Sequence, residues 1–469
     1  MTERRYVVAI DGGSQSTKVL IVDDTGVVHA SAQRRLRPTE SPLPGRVVHP
    51  DDDLWDTLAD ACREALAAFD GDIGQIVGVG LCTIRFCRVL LDEHGRLVEP
   101  VLSWMDERVS RAHEQDPKVR YVTTSSGYIT HRLTGHMRDS VGNQQGVWPV
   151  DQQKWRWSDD PTAYEQTGMR REQLFELVQP GAQLGAITVQ AAEATGLPAG
   201  LAVYATANDK AVEALGSGLR DERQVLLSLG TYIAAMTVGD EPISTNEGYW
   251  TNFAAEPGRY LYESGGIRRG MWTVSWWRDL LDGGVTDDGL NTGAEAIAPG
   301  SDGLFAVLDW LAPSDAPYRR GALLGFDGRQ GRFHVHRAIL EGIALTMRTH
   351  IDAMEAALGR RFESVIISGG GSRSDLMMRI VAAVVERPVH RNRLTDAAGL
   401  GAAIAAFVGA GVHPSWATAV EATVRAAEEF EPDPDRASAY RPVREAYALI
   451  PRHLDPLLAA WQRIMPRVD

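Results

Sequence analysis

Residues 6–23 read YVVAIDGGSQSTKVLIVD, and this stretch decides the fold. Residues 6–10 form a continuous apolar run rich in β-branched side chains, which is typical of a buried strand. A polar, glycine-containing turn follows at residues 11–18, and a second apolar run ends at Val22. The stretch therefore predicts two strands joined by a turn that offers a carboxylate, hydroxyls and backbone N–H groups to an anion.

A similar unit recurs in the middle of the chain. Residues 225–229 are apolar, Gly230 and Thr231 form a turn, and residues 233–238 are apolar again. Two such units about 220 residues apart favour duplicated halves that face one cleft, although two unrelated hairpins would give the same pattern. The charged segment before the second unit places the boundary, which gives domains of residues 1–221 and 222–469.

Polar residues also follow two other predicted strands. Asp209 lies in TANDKAVEALGSG (206–218), between a strand of small residues and a helical stretch, so it is a candidate general base or metal ligand. The alternative is that Asn208 or Asp209 only caps this helix. In ISGGGSRSD (367–375), three glycines let the backbone approach a phosphate or a flat ligand, unless the segment is a plain strand-to-helix turn. It matches neither the GxGxxG fingerprint nor a P-loop.

Composition excludes several classes of protein. The 469 residues suggest two or three domains, and a chain of this length buries a core without disulfides or metals. A net charge of −14 argues against a nucleic-acid-binding surface. Three cysteines without metal-like spacing (Cys62, Cys82 and Cys87) predict a reducing cytoplasm. No apolar run reaches about 18 residues, so no membrane span is expected.

The second half has mostly helical patterns. Apolar spacing predicts helices at 338–358, 376–385, 397–409 and 440–464, whereas the proline-rich segment 431–435 predicts a surface loop. Trp272, Trp276 and Trp277 recur at helical spacing within ESGGIRRGMWTVSWW. We expect these rings to pack in the core or at a subunit interface; the alternative is an apolar face for a sugar.

Seven segments, in order over essentially the whole chain, resemble the FGGY carbohydrate kinase family. They are IDGGSQSTKVLIVD (10–23), VLSWMDERV (101–109), ANDKAVEALGSG (207–218), LLSLGTYIAAM (226–236), GALLGFDGRQGRFHVHRAILEG (321–342), ISGGGSRSDLMMRIVAAVVERPV (367–389) and LTDAAGLGAA (394–403). The resemblance implies an α/β protein in which two actin-like (RNase-H-like) domains flank a central cleft.

The resemblance also implies an ATP-dependent carbohydrate kinase that transfers the γ-phosphate of MgATP to a hydroxyl of a small ketose or polyol. Asp209 would be the general base and, with Asp11, a ligand of Mg²⁺. The substrate would contact Arg85, Trp104, Asp106 and Asp209. ATP would contact Gly12, Gly13, Ser14, Gln15, Lys18, Gly230, Thr231, Gly369, Gly370, Gly371 and Ser374.

Two departures from the family pattern concern the substrate. CTIRFCR (82–88) replaces the Gly-Gln-Met-His-Gly of many sugar-specific relatives; Arg85 falls where glycerol kinases have an arginine, but Phe86 replaces their glutamate. Arg85 either binds substrate hydroxyls or a carboxylate, or forms a structural salt bridge. The stretch between Trp104 and HRLTG (131–135) is shorter than in typical members.

We therefore expect a cytoplasmic enzyme with a small-molecule sugar or polyol substrate, no nucleic-acid partner and no membrane partner; a homodimer is left open. A glycerol- or erythritol-type polyol kinase and a sugar-acid kinase are the alternative activities. An actin-like ATPase and an inactive sugar-sensing relative are the alternatives outside the kinase class.

Overall fold

Two mixed β-sheets form the framework of the computed structural model, which describes residues 4–243, 247–281, 283–313 and 315–465. The first sheet contains β1 (Tyr6–Gly12), β2 (Ser16–Asp23), β3 (Val28–Arg35), β4 (Ile76–Thr83), β5 (Gln183–Ala186) and β6 (Ala202–Ala205). The second contains β7 (Gln224–Leu229), β8 (Ile233–Gly239), β9 (Trp250–Phe253), β10 (Tyr260–Ile267), β11 (Ser364–Ser368), β12 (Val389–Asn392) and β13 (Ala426–Phe430).

Helices cover and connect the sheets. They are α1 (Asp53–Ala67), α2 (Ser125–Thr134), α3 (Pro161–Thr167), α4 (Val189–Thr195), α5 (Asp209–Gly216), α6 (Gly270–Leu280), α7 (Asp287–Glu295), α8 (Arg332–Leu358), α9 (Asp375–Val385), α10 (Ala397–Gly409), α11 (Trp416–Thr423) and α12 (Pro434–Ile464). Within the described ranges, no helix has both the length and the apolar character needed to cross a membrane.

The two sheets repeat one strand topology. Their strand orders are β5-β6-β4-β1-β2-β3 and β9-β10-β8-β7-β11-β12-β13. In each sheet a central strand, β1 or β7, pairs antiparallel with the next strand in the chain and parallel with a later one. This repetition agrees with the two strand–turn–strand units of the sequence, and it brings the turns after β1 and β7 into equivalent positions.

Helix α10 joins the halves, because it lies between β12 and β13 of the second sheet in the chain but packs on β1 and β4 of the first sheet. It also packs against α5, and the two helices approach closely at Gly401, where a β carbon would lie 2.0 Å from the carbonyl oxygen of Val212. Only glycine fits at such a contact. A shared apolar layer therefore forms the base of the cleft. The domain boundary at residues 221/222 stays a proposal.

The last helix is longer than its apolar pattern predicts. It begins at Pro434, inside the segment predicted to be a loop, and the side chain of Asp433 accepts hydrogen bonds from the N–H groups of Asp435 and Arg436. Proline is compatible with the first helical position because its missing N–H has no partner there. The prediction of a loop at 431–435 was therefore wrong for the last two residues.

Candidate active site

Asp11 lies at the carboxyl end of β1, paired in register with Lys18 on β2. Burial and the negative charges of Asp396 and Asp209 raise the pKa of Asp11 to about 7, against the opposing charge of Lys18. The ammonium of Lys18 is itself held by Asp396, with Nζ 3.1 Å from Oδ2. Asp11 is thus a carboxylate that needs an additional cation to be fully ionised at neutral pH.

Asp209 is the first residue of α5, and its neighbour Asn208 caps the helix. The Asn208 side chain accepts hydrogen bonds from the N–H groups of Lys210 and Ala211, each at 3.2 Å. Asp209 Oδ1 accepts from the N–H of Lys210 at 2.9 Å and lies 3.6 Å from Nε of Arg85. Burial raises the pKa of Asp209, while the charges of Arg85 and Lys210 oppose this shift. The half-buried carboxylate is suited to accept a proton.

The donor set at Asp11 and Asp209 fits Mg²⁺ bound together with a polyphosphate. Mg²⁺ is usually held by one or two carboxylates, by water and by substrate phosphates, and not by a complete cage of side chains. In the part of the chain that the structure describes, no three His, Cys, Asp or Glu side chains form a ready metal site. The negative charge of Asp209 contributes to the raised pKa of Asp11, so a cation bound between the two carboxylates would offset this repulsion.

An ion pair within α5, which was not predicted from the sequence, connects this helix to the second sheet through two serine hydroxyls. Nζ of Lys210 donates to Oε2 of Glu213 and to Oγ of Ser228 on β7, each at 2.8 Å. Glu213 also accepts a hydrogen bond from Ser368 on β11. Ser228 and Ser368 come just before the glycines at 230 and 369, so this pair fixes both turns to the helix of Asp209. The spacing of Lys210 and Glu213 in DKAVE, three residues apart, was the sequence feature that could have predicted this ion pair.

Removal of this lysine is expected to destabilise the protein. Lys210→Met leaves the buried Glu213 carboxylate without its cation and should lower the free energy of unfolding by about 3 kcal/mol. Urea unfolding at pH 7 measures the loss. The double variant Lys210→Met/Glu213→Leu should regain most of it, because no carboxylate is left at position 213 without its cation. A double variant as unstable as the single one would contradict the ion-pair explanation.

The predicted ATP-binding glycines lie in three turns. The first follows β1, where the N–H of Gly13 donates to the carbonyl oxygen of Ser16 at 3.0 Å, Gly12 precedes it in the strand, and Ser14 and Gln15 are exposed. The second is fixed by the start of α6, since the N–H groups of Gly270 and Met271 donate to the carbonyls of Thr231 and Gly230. The Thr231 side chain is exposed and remains free to face a ligand.

The third turn packs directly on the second. Gly369 has φ +79°, and a β carbon there would lie 2.6 Å from the carbonyl oxygen of Leu229. At Gly371, a β carbon would approach the Leu229 side chain to 2.8 Å. The structure therefore brings the turns at 230 and 369–371 together. Ser374 is placed differently, because its hydroxyl accepts from the N–H of Met377 and caps α9.

Gly369→Ala is expected to raise the KM for ATP at least about tenfold and to lower thermal stability, because the left-handed backbone and the clash both disfavour alanine. The matched control is Gly359→Ala, since Gly359 at the end of α8 also has a left-handed φ, +65°, but a β carbon there meets no atom within 4 Å. Steady-state kinetics and thermal melts of both variants test this. Equal ATP kinetics in the two variants would argue against a nucleotide at this turn.

Arg85 lies in the loop after β4 and spans the cleft to β10. Its Nη1 and Nη2 atoms donate to Glu263 Oε2 and Oε1 at 2.7 and 2.8 Å. The rings of Phe86 and Trp250 flank the guanidinium, each with its centroid 5.1 Å from Cζ. The structure thus brings together Arg85 and Asp209, and it adds Glu263, Phe86 and Trp250 to the site. A glutamate in a strand gives no sequence signal for a partner 178 residues away.

The other two predicted substrate residues have different surroundings. Trp104 is exposed. Asp106 is buried; its carboxylate accepts hydrogen bonds from the backbone and guanidinium of Arg108 and from the N–H of Val47. None of these contacts involves Arg85 or Asp209, so the hydrogen bonds of Asp106 hold the local structure together. Its contact with substrate stays a prediction.

The tryptophans of α6 form a cluster with Trp310. The ring centroids of Trp276 and Trp310 lie 5.0 Å apart, those of Trp272 and Trp276 lie 6.3 Å apart, and all three rings are half-buried. Arg269 lies over the Trp272 ring at 4.3 Å. These mutual contacts favour the packing role for the tryptophans over the sugar-facing role.

Comparison with known proteins identifies the family of the chain. Models of the FGGY family of carbohydrate kinases match residues 6–115 and 109–216 (N-terminal domain) and 225–410 (C-terminal domain). The chain is 42% identical to the uncharacterized sugar kinase YgcE of Escherichia coli (strain K12), over 98% of this chain and 96% of that protein. It is 24% identical to the xylulose kinase of Lactococcus lactis, over 94% and 95% of the two chains.

Solved structures show the same fold. The crystal structure of xylulose kinase from Rhodospirillum rubrum matches with a TM-score of 0.84 and 24% identity, covering 97% of this chain and all of that one. Gluconate kinase from Lactobacillus acidophilus matches with a TM-score of 0.85 at 18% identity, covering 98% and 100%. The predicted two-domain α/β fold is thereby confirmed. The chain belongs to the FGGY family of carbohydrate kinases and is a phosphotransferase with an alcohol group as acceptor.

Proposed function

We propose that the protein transfers the γ-phosphate of MgATP to a hydroxyl of a small ketose or polyol, with Asp209 as the general base. The observation that carries the proposal is the position of Asp209: a half-buried carboxylate, freed from helix capping by Asn208, faces Arg85 and shares its electrostatic environment with Asp11. The glycine turns at 230 and 369–371 supply backbone N–H groups to the nucleotide from the opposite half of the chain.

In the proposed step, the proton of the substrate hydroxyl moves to the Asp209 carboxylate. The hydroxyl oxygen forms a bond to the γ-phosphorus while the bond from that phosphorus to the β–γ bridging oxygen breaks, and ADP leaves. Arg85 and Lys210 favour the ionised form of Asp209 before the transfer. Asp11 would hold Mg²⁺, which when bound neutralises phosphate charge.

The test is an ADP-release screen of the protein with ATP and magnesium across pentuloses, hexuloses, polyols and sugar acids. We expect ADP release that depends on an acceptor. ATP hydrolysis without any acceptor would favour an actin-like ATPase, and acceptor binding without turnover would favour a sugar-sensing relative. A cytoplasmic location and a homodimer stay predictions.

A further inference from the structure

Carboxylates of the protein already face both edges of the Arg85 guanidinium that a substrate carboxylate would use for a bidentate pair. Both terminal nitrogens donate to Glu263 in a bidentate pair at 2.7 and 2.8 Å, and Nε faces Asp209 at 3.6 Å. The rings of Phe86 and Trp250 lie against the guanidinium. A second carboxylate cannot pair with both terminal nitrogens while Glu263 does so, and on the remaining Nε edge it would meet the carboxylate of Asp209.

Glu263 is held as firmly as Arg85. Its side chain is fully buried, and Oε2 also accepts a hydrogen bond from Nδ2 of Asn252 at 3.1 Å. If Arg85 turned toward a ligand, Glu263 would remain as a buried charge without its cation, which is strongly unfavourable. The resting pair is therefore part of the wall of the site, and Arg85 is not a free anion receptor.

The charges around Arg85 disfavour an acidic substrate. One guanidinium faces two carboxylates, Glu263 and Asp209. Lys210, the other cation that acts on Asp209, is bound to Glu213 and Ser228. A sugar acid with its carboxylate here would meet like charges and no unpaired cation among these residues. Hydroxyls suit the site better, since they accept from Nε of Arg85 and donate to Asp209.

We infer that Glu263, by occupying Arg85, makes this site selective for uncharged polyhydroxy acceptors over sugar acids. The inference rests on the proposed function and names the substrate class for it. Glu263 is a specificity-determining residue in this view, and Arg85 contributes to the site through Nε and through its charge.

The experiment compares acceptors that differ in one terminal group, CH2OH in the neutral member and a carboxylate in the acid: ribitol with ribonate and glucitol with gluconate, each with ATP and magnesium, by ADP release. For at least one pair, we expect a kcat/KM at least about tenfold higher for the neutral member. Preference for the acids would overturn the inference and the ketose or polyol acceptor, whereas phosphoryl transfer from ATP with Asp209 as the base would still stand. If neither these compounds nor the pentuloses and hexuloses of the wider screen support turnover, the proposed function fails instead.

The variant Glu263→Gln provides a second test of the inference. The amide cannot hold Arg85 as an ion pair, so the ratio of kcat/KM for acid to neutral acceptor should rise at least about tenfold. Glu256→Gln is the matched control, because Glu256 forms an equivalent pair with Arg220; its ratio should stay at the wild-type value. An unchanged ratio in a folded Glu263→Gln protein would refute the role of Glu263. If the Glu263→Gln variant does not fold, the wild-type ratio of kcat/KM for acid to neutral acceptor alone tests the inference.

Discussion

Asp209→Asn is expected to lower kcat by about 10²–10⁴-fold, the usual contribution of a general base, while the affinity for ATP stays near its wild-type value. The amide has the size of the carboxylate but cannot accept the proton of the substrate hydroxyl. Because Asn208 caps α5, the helix keeps its start and the variant should fold normally. Steady-state ADP release gives kcat, and nucleotide titration gives the affinity.

The pH profile adds a second readout for Asp209. Its pKa is raised by burial, so wild-type kcat/KM should rise with pH through an acidic limb that the variant lacks. Asp435→Asn is the control, since Asp435 is an exposed residue in the first turn of α12; it should leave both kcat and the profile unchanged. Wild-type kcat in Asp209→Asn would remove this residue from the base role, and joint loss of ATP binding would assign it to the nucleotide.

Local patterns predicted the elements that carry the site. The strands at 6–12 and 16–23 and the helices at 375–385 and 397–409 agree with the apolar runs to within two residues, because hydrophobic periodicity reflects burial directly. The glycine turns were also found, since a backbone at φ +79° packed against Leu229 requires glycine. The family resemblance added the fold, which the comparisons confirm.

Long-range partners were beyond the reach of the sequence. The Arg85–Glu263 and Lys210–Ser228 contacts each join the two halves, and nothing local in β10 or β7 marks the residue that receives the bond. The sequence therefore left open whether Arg85 binds substrate or forms a salt bridge. The structure shows the salt bridge and places it beside Asp209. Arg85 therefore forms the salt bridge at the same location where it was expected to bind substrate.

The sequence predicted the position of α10 only in part. Its sequence AAGLGAAIAAFVG is apolar on every face, a pattern that indicates a helix buried all round. The elements that pack around α10 could not be predicted from its sequence. The contact at Gly401 depends on the backbone of α5, and the other faces of the helix are covered by β1 and β4. The base of the cleft is thus built by pieces from both halves.

Asp11→Asn is expected to raise the magnesium concentration for half-maximal turnover by about 10–100-fold, the usual cost of a lost metal-supporting group, and to stabilise the protein free of ligands at pH 8. The pKa of Asp11 is raised from 3.8 to about 7 by burial and by Asp396 and Asp209. The stability that its protonated form provides is complete below pH 3.8 and is lost as the pH rises through 7. An uncharged asparagine avoids this loss.

The gain in melting temperature from Asp11→Asn should therefore be small at pH 4 and larger at pH 8. Asp70→Asn, which neutralises an exposed carboxylate, should show no such trend. Addition of magnesium and ATP should reverse the order at pH 8, because a bound cation compensates the charge of Asp11 in the wild type but has lost this ligand in the variant. A variant that needs more magnesium but gains no stability at pH 8 would keep Asp11 as the metal ligand but contradict the electrostatic cost assigned to it.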